Sequence, residues 1–348
     1  MRATGTAVTL TLKPDAAAAG GATVRVTPVT ALLESAEKYQ LSSLLKGGRS
    51  VHQSFSLLKS IIILLRCDMP SSKMRPAACI NLLLLCAARG TVASFCTESG
   101  WDIEWADEFN GAALNSSNWV VANNTEQNDS MCRDATCVYE NVAVSGGHLR
   151  LTAKRESRGW ASYTTGAVFS KNKRFWAAAE GSPFRLCVSG ILPGTPRDGA
   201  GLWPAFWMMP NDVSCWPSHG ELDLMEEING DGVEHYTYHV SSPGGKQCNG
   251  DNLSEGGETS IATMATQPHE YAVEVGLGRF AFVVDGQVKF NSTSNSSIPV
   301  HDVPWYAILN FAVGGPWPKP PTNDTKFPVD TLVDYVRVSR PAAAPKRS

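Results

Sequence analysis

Short runs of alternating apolar and polar residues cover the chain from Trp101 to Arg340. Successive side chains of a strand point to opposite faces of a sheet, so this alternation predicts strands. Gly, Asn, Asp and Pro separate the runs, as turns require. The pair Asp285-Gly286 in "VVDGQVKF" predicts a hairpin turn. Because no long helical period and no internal repeat is found, we predict one all-β antiparallel sandwich of about 240 residues.

The segment "GELDLMEE", residues 220–227, concentrates carboxylates within one such run. Under strict alternation Glu221 and Asp223 share a face of the strand, and Glu226 points the other way. One bulge residue returns Glu226 to the face of the first two. We therefore predict three carboxylates in a row on one face, with Asp223 able to hydrogen-bond Glu221. Glu227 falls on the other face, where we expect it to be solvated or salt-bridged.

Composition makes this concentration of acids more significant. Only 18% of the 348 residues are charged, and the 43% hydrophobic content can form a large core in one or two domains. The acids are interleaved with Leu and Met and follow the Trp-rich segment 201–210. Acids in such surroundings lose hydration and repel one another, and this cost indicates that they have a chemical function. The net charge of -3 offers no basic surface, so we expect no nucleic-acid partner.

Residues 74–94 have the layout of a secretory signal peptide: Arg75 after Met74, an apolar run, then small residues. The run is shorter than the roughly 20 residues that span a bilayer, so we expect a secreted protein without stable membrane insertion. We interpret residues 1–73 as an N-terminal extension upstream of the true start site. A membrane-tethered form that uses residues 60–67 is the alternative. Residues 343–348 are expected to be a short tail.

Cysteine and asparagine usage agrees with export. The cysteines after the leader form an even set, as a disulfide framework requires: Cys96, Cys132, Cys137, Cys187, Cys215 and Cys248. We predict only the pairing of Cys132 with Cys137 and leave the others open. Asn-x-Ser/Thr glycosylation sequences follow the leader at Asn115, Asn123, Asn128, Asn252, Asn291, Asn295 and Asn323.

The acidic segment resembles the E-x-D-x-x-E signature of glycoside hydrolase family 16, in the bulged form of the laminarinases, which are endo-β-1,3-glucanases. "WADEFNGAALNSSNW", "YTTGAVFSK", "GLWPAFWMMP", "YAILNFAVGGPWP" and "FPVDTLVDYVRV" resemble further segments of the family in the family's order. The resemblance runs from about Trp101 to Arg340 and predicts a catalytic domain over residues 95–342.

The resemblance implies a jelly-roll sandwich of two curved antiparallel sheets with a concave substrate cleft. It implies a retaining endo-β-1,3-glucanase, with mixed β-1,3-1,4-glucan as a further substrate and no cofactor required for the chemistry. Glu221 corresponds to the nucleophile, Asp223 to an assisting carboxylate and Glu226 to the acid/base. Two carboxyls about 5 to 5.5 Å apart are what a retaining glycosidase needs.

The resemblance also implies binding residues. Aromatic rings stack on glucosyl units, and polar groups pair with hydroxyls. The expected substrate contacts are Asn141, Trp203, Trp207, His239, Asn310 and Trp317. Core packing is the alternative for Trp207, as is a core histidine for His239. A structural calcium ion is implied with oxygen ligands from Glu108, Gly147 and Asp334, where Asp334 as a strand cap is the alternative.

Two departures from the family pattern stand out. Ala167 occupies a position where the family often has Arg, and Val275 one where it usually has Trp. Two other functions share the fold: a non-catalytic β-glucan recognition protein and a wall glucan transglycosylase. The three acids favour an enzyme over the recognition protein, and the sequence leaves the acceptor of the sugar open. We expect a monomer.

Overall fold

The computed structural model describes residues 8–11, 23–26, 94–123, 131–212, 215–243 and 252–343. The chain divides into two compact units, Met1–Gly90 and Thr91–Ser348. In the first unit, β1 (Val8–Thr11) pairs antiparallel with β2 (Thr23–Val26). The predicted signal peptide lies almost wholly outside the described residues, and it stays a prediction together with the interpretation of residues 1–73. In the described part of the chain, no helix has the length and apolar character to cross a membrane.

The second unit consists almost wholly of strands, with short 3-10 helices at Phe95–Thr97 and Tyr139–Asn141. In chain order the strands are β3 (Trp101–Asp107), β4 (Val120–Val121), β5 (Thr136–Cys137), β6 (Val142–Ser145), β7 (His148–Ala153), β8 (Thr164–Thr165), β9 (Ala167–Phe169), β10 (Phe184–Ile191), β11 (Leu202–Pro210), β12 (Glu221–Glu227), β13 (Val233–Ser241), β14 (Asn252–Ser260), β15 (His269–Gly276), β16 (Arg279–Val284), β17 (Gln287–Thr293), β18 (Trp305–Val313) and β19 (Val329–Pro341).

Two antiparallel sheets make up this unit. One has the order β17-β16-β15-β10-β19-β7-β6, with β3 also paired to β19, and the other has the order β14-β13-β12-β11-β18-β9-β4. The short strands β5 and β8 form a separate parallel pair. The predicted all-β antiparallel sandwich is confirmed.

The main core lies between the two sheets, where the apolar side chains of both form one cluster. Tyr236 and Tyr238 of β13 meet Phe282 and Phe280 of β16, with ring centroids 5.7 and 4.9 Å apart. Because side chains alternate along a strand, the intervening residues of β11, β12, β13 and β18 face away from this core. The functional site lies on that outer face.

Two local predictions are also confirmed. Asp285 and Gly286 form the turn between β16 and β17 with φ of 48° and 73°, the left-handed conformation that a two-residue hairpin turn needs. Cys132 and Cys137 form a disulfide. A second disulfide joins Cys96 to Cys187. Cys215 is also disulfide-bonded.

Candidate active site

The acidic strand β12 carries the predicted bulge. Asp223 pairs with Thr237 of β13, but the next pair along is Glu226 with His235. Positions 224 and 225 therefore oppose a single residue of β13, and the pairing with β11 shifts at the same place. The shift returns Glu226 to the face that carries Glu221 and Asp223.

All three carboxylates line one cavity of about 390 Å³ on the outer face of the sheet. Three of the predicted substrate contacts line it as well, namely Trp203, Trp207 and Asn310. The remaining lining residues are Arg133, Ala205, Met209 and Trp216. The cavity is thus lined by both aromatic rings and a row of acids, which is the combination that a sugar-binding site needs.

Each of the two outer carboxyls accepts a hydrogen bond from an indole. Trp203 Nε1 donates to Glu226 Oε1 over 2.9 Å. The side chain of Trp216 hydrogen-bonds Glu221. These bonds fix the orientation of both carboxyls while leaving other lone pairs free for a ligand.

The polar side of the cavity is completed by Trp207 and Asn310. Trp207 Nε1 donates to Asn310 Oδ1 over 2.6 Å, and Asn310 Nδ2 donates to the carbonyl of Met131 over 2.8 Å. Since Trp207 is half-buried and lines the cavity, it is not a residue of the core between the sheets.

Asp223 and His239 lie side by side. Asp223 is 3% exposed, and its Oδ2, which has no hydrogen-bond partner, lies 3.4 Å from His239 Nε2. His239 Nδ1 lies 3.1 Å from Asn252 Oδ1. One carboxylate oxygen each of Glu221 and Asp223 and one ring nitrogen of His239 lie within 4.8 Å of one another. The side-chain partners of His239 therefore place it at the acids rather than among backbone groups of the core.

Burial dominates the electrostatics of these groups. It raises the pKa of Glu221 to about 8, with the charge of Glu226 acting in the same direction. It raises the pKa of Glu226 to about 7 and holds that of Asp223 above its ordinary value. Burial also lowers the pKa of His239, which favours the neutral ring. The cluster therefore retains protons near neutral pH, and its acids titrate as interacting sites.

Three predicted substrate contacts lie outside the cavity lining, namely His239, which is beside Asp223, and Asn141 and Trp317. Asn141 is 1% exposed, and its Nδ2 donates to Thr164 Oγ1 over 2.8 Å, so this amide is engaged within the protein and does not line the cavity. Trp317 is 39% exposed and lies edge-on to Trp203, with ring centroids 5.6 Å apart. Trp317 thus borders the cavity beside a lining residue.

The expectation that Glu227 is solvated or salt-bridged is wrong. This residue is on the opposite face from Glu226, as predicted, but it is 2% exposed and faces the core. Its Oε1 accepts a hydrogen bond from the Gly232 amide over 3.2 Å, and its Oε2 has no partner. Its cross-strand neighbour Glu234 is fully buried, with neither carboxylate oxygen hydrogen-bonded. The bulge returns Glu226 to the cavity face. Because side chains alternate from there on, Glu227 points inward.

The three predicted calcium ligands are only partly suited to bind the ion. Both carboxylate oxygens of Glu108 are engaged by Arg337 at 2.7 and 2.8 Å, so this side chain is already neutralised. Gly147 offers only its carbonyl. Asp334 keeps an accessible carboxylate, 3.9 Å from His148 Nε2. The set supplies one available carboxylate, from Asp334, and one backbone carbonyl, from Gly147, and the calcium ion stays a prediction.

Sequence reasoning missed three residues of the site. Arg133 and Trp216 line the cavity, and Tyr306 lies close enough that the charge of Glu221 adds to burial in raising its pKa to about 12. Trp216 follows Cys215 in an irregular segment, and Arg133 lies between two cysteines. Neither position belongs to an alternating run, so the strand pattern carried no signal for them.

Comparisons with known proteins agree with this site. A model for an XgeA-like, catalytic GH16 domain matches residues 191–275. The chain is 28% identical over 297 residues to a β-glucanase of Rhodothermus marinus, covering 79% of this chain and 99% of that protein. It is 28% identical over 271 residues to the glucan endo-1,3-β-glucosidase A1 of Niallia circulans, covering 69% of this chain and 38% of that protein.

A solved structure shows the same architecture. The laminarinase from Rhodothermus marinus matches with a TM-score of 0.58 at 27% identity, over 70% of this chain and 98% of that one. The predicted jelly roll is thereby confirmed. The family match over residues 191–275 contains β11, β12 and β13, the strands that carry the acids and the indoles. The chain is a glycoside hydrolase, and the strands that carry its acids are similar to the catalytic domain of glycoside hydrolase family 16.

Proposed function

We propose that this protein is a secreted, retaining endo-β-1,3-glucanase that also cleaves mixed β-1,3-1,4-glucan. The observation that carries the proposal is the bulge of β12, which brings Glu221, Asp223 and Glu226 to one cavity. The relatives support the substrate class, because those named here are a β-glucanase, a glucan endo-1,3-β-glucosidase and a laminarinase.

In the first step, the carboxylate of Glu221 attacks the anomeric carbon while Glu226 gives its proton to the departing glycosidic oxygen. The bond from sugar to Glu221 forms as the bond to the leaving sugar breaks. Burial raises the pKa of both Glu221 and Glu226, and the two titrate as interacting sites, so the pair can share one proton near neutral pH; the mechanism places this proton on Glu226. The Trp203 N–H keeps its carboxyl oriented in both protonation states.

In the second step, Glu226 acts as a base. It takes a proton from a water molecule, the water oxygen attacks the anomeric carbon, and Glu221 leaves as a carboxylate. Two inversions give net retention of the β configuration. A transglycosylase differs only here, since a sugar hydroxyl replaces the water.

Asp223 and His239 support Glu221 in this scheme. Asp223 lies close enough to Glu221 for their charges to interact, and His239 Nε2 lies 3.4 Å from Asp223. The neutral His239 ring lies between Asp223 and Asn252 and adds no positive charge beside the nucleophile. We assign both residues to orienting Glu221 and the bound sugar.

Product analysis of the purified fragment from Phe95 to Ser348 tests the proposal. Laminarin, lichenan and a β-1,4-glucan are each incubated with this fragment and with Glu221→Gln as the inactive control. We expect oligosaccharides of several lengths from laminarin, fewer from lichenan and none from the β-1,4-glucan. Cleavage of the β-1,4-glucan as fast as laminarin contradicts the linkage assignment. Binding of laminarin without cleavage indicates a recognition protein, and products longer than the substrate indicate a transglycosylase.

Secretion has its own test. Expression from Met74 should deliver protein to the medium with an N-terminus near Phe95, because the signal layout follows that methionine. N-terminal sequencing that finds residues 1–73 on the active secreted protein contradicts this part of the proposal.

A further inference from the structure

A short disulfide loop borders the cavity. The disulfide between Cys132 and Cys137 closes it, and both cysteines are fully buried against Ala122 and Ala167. The loop is also tied to the end of β18 and the residues after it. The Asp134 amide donates to the Val313 carbonyl over 2.9 Å, and the Gly315 amide donates to Asp134 Oδ2 over 2.8 Å. These links fix the position of the backbone between the two cysteines.

Arg133 is the residue that this loop presents to the cavity. Its φ of 57° is left-handed, a conformation that a non-glycine residue adopts only when its surroundings enforce it. Its guanidinium lies over the Trp203 ring, 4.8 Å from the centroid, in a cation–π contact. The same indole donates to Glu226. Arg133 therefore packs on the ring that orients one of the carboxyls.

Among the residues that the structure describes, Arg133 forms no ion pair. Its Nε is buried without a hydrogen-bond partner. Among the described residues that line the cavity, it is the one lysine or arginine. A half-buried cation beside several acids acts on all of them through its field.

We propose that Arg133 is a positioning residue that supplies the positive potential needed to keep one carboxyl of the cavity ionised, and that the Cys132–Cys137 disulfide holds it in place. This inference rests on the proposed function, since it assigns that site its charge balance. Three carboxyls in one cavity repel one another, and burial favours their neutral forms. Without a cation the nucleophile would be protonated over more of the pH range.

Among the described residues, the other groups around the two outer acids do not supply this charge. Asp223 is an acid, Tyr306 is a phenol with a raised pKa, and burial favours the neutral form of His239. His235 lies across from Glu226, with its ring 4.9 Å from that of Trp317 and its Nδ1 3.7 Å from Glu258. The Arg133 charge lowers the pKa of both Glu221 and Glu226, against the effect of burial.

Two measurements on Arg133→Met and Arg133→Lys test the proposal. The first is the pH dependence of kcat/KM on laminarin. The second is the titration of the Glu221 and Glu226 side chains by carbon NMR of the glutamate-labelled free enzyme, with each resonance assigned from its Gln variant. In Arg133→Met both limbs of the rate profile and both titrations should move upward by about one pH unit, because a positive charge is lost. Arg133→Lys should restore most of the shift.

Two controls separate charge from structure. Arg279→Met, in the other sheet, removes a positive charge far from the cavity and should leave the titrations unchanged. The double variant Cys132→Ala, Cys137→Ala should move the titrations part of the way, and Arg133→Met should shift them less in that background than in the wild type. Thermal unfolding confirms that each variant is folded at the temperature used.

Three results overturn the inference. One is a Met variant whose kcat/KM falls while its limbs and titrations stay unmoved, which makes Arg133 a hydrogen-bond donor to substrate. Another is a Lys variant that shifts as far as Met. The third is an unaltered shift after the cysteines are removed, which excludes the role of the disulfide. Because NMR uses the free enzyme, a missing glucanase activity contradicts the proposed function alone and leaves the titration test intact.

Discussion

The acids on the two faces of β12 differ in the hydrogen-bond donors and charges around them. On the cavity face, Glu221 and Glu226 each accept an indole hydrogen bond and feel the charge of Arg133. On the core face, Glu227 has one long hydrogen bond from a backbone amide, and Glu234 beside it has none. Burial raises the pKa on both faces. The cavity face opposes it with two indole donors and Arg133, whereas the core face offers only the Gly232 amide to Glu227 and the more distant charge of Lys289 to Glu234.

The difference shows that one bulge places some acids of a single run at the cavity and others in the core. Carboxyls with donors and a cation can exchange a proton near neutral pH, as acid–base chemistry requires. Glu234, whose carboxylate oxygens have no hydrogen-bond donor, has a pKa well above its ordinary value and stays protonated, because a lone buried charge is expensive. Glu226 and Glu227 are adjacent in sequence, but they lie on opposite faces of the strand, and their carboxyls therefore have different surroundings.

The largest expected effect is on Glu221→Gln. An amide cannot form the glycosyl-enzyme bond, so kcat/KM on laminarin should fall by about 10⁴-fold or more at unchanged thermal stability. Matched protein concentrations and a circular dichroism spectrum serve as controls for folding. Activity within a few fold of wild type would show that another residue is the nucleophile.

Glu226→Ala should lose activity in a different way. An aryl glycoside with a good leaving group needs little protonation, so its first step survives, while the second step lacks a base and the intermediate accumulates. Azide needs no base to attack, and it should restore turnover and give a β-glycosyl azide. An α-glycosyl azide, or no rescue, would contradict a retaining mechanism in which Glu226 is the acid/base.

Asp223→Asn should have a smaller effect than either, a loss of roughly 100-fold in kcat, because Asp223 orients and polarises but forms no bond. A loss in Asp223→Asn equal to that in Glu221→Gln would give Asp223 a direct part in bond formation.

The pH–rate profile of the wild type should be bell-shaped, with both limbs above the ordinary carboxyl pKa of 4.5, since burial raises the pKa of Glu221 and Glu226.

Glu227→Gln should affect stability rather than catalysis. The pKa of Glu227 is raised from 4.5 to about 8, so the folded state binds more protons than the unfolded state between these values. Stability from this group is present at low pH and is lost as pH rises through about 8. The variant should be about 1–3 kcal/mol more stable than wild type at pH 8 and near wild type at pH 4.

Chemical denaturation at both pH values measures this difference. The exposed Glu180→Gln is the control for loss of a surface charge, and it should show no such pH dependence. If Glu227→Gln is no more stable than wild type at pH 8, the carboxyl is not held neutral in the core.

Much of the fold follows from the sequence because its strands alternate. The period of two predicts the sandwich, and the Asp285-Gly286 turn is set by two residues that tolerate left-handed backbone. The bulge was also predictable, since only an extra residue places Glu226 with Glu221 and Asp223. These features depend on neighbouring residues, which the sequence shows directly.

Features that depend on distant segments were not predictable. The burial of Glu227 depends on the core beneath β12, and the restraint of Asn141 depends on Thr164. Arg133 reaches the cavity because a disulfide and Asp134 fold its loop onto the end of β18. Ala167, which departs from the family pattern, packs against that disulfide. The sequence showed the departure but not the loop that occupies the space beside it.

The central claim is that the bulge assigns Glu226 to the chemistry and Glu227 to the core. A direct test compares kcat/KM on laminarin for Glu226→Gln and Glu227→Gln, two identical substitutions at adjacent positions. The structure predicts a loss of about 10²-fold or more for Glu226→Gln and activity within about twofold of wild type for Glu227→Gln. Loss of activity in Glu227→Gln with near-normal activity in Glu226→Gln would mean that the bulge is misplaced and that the two faces are exchanged.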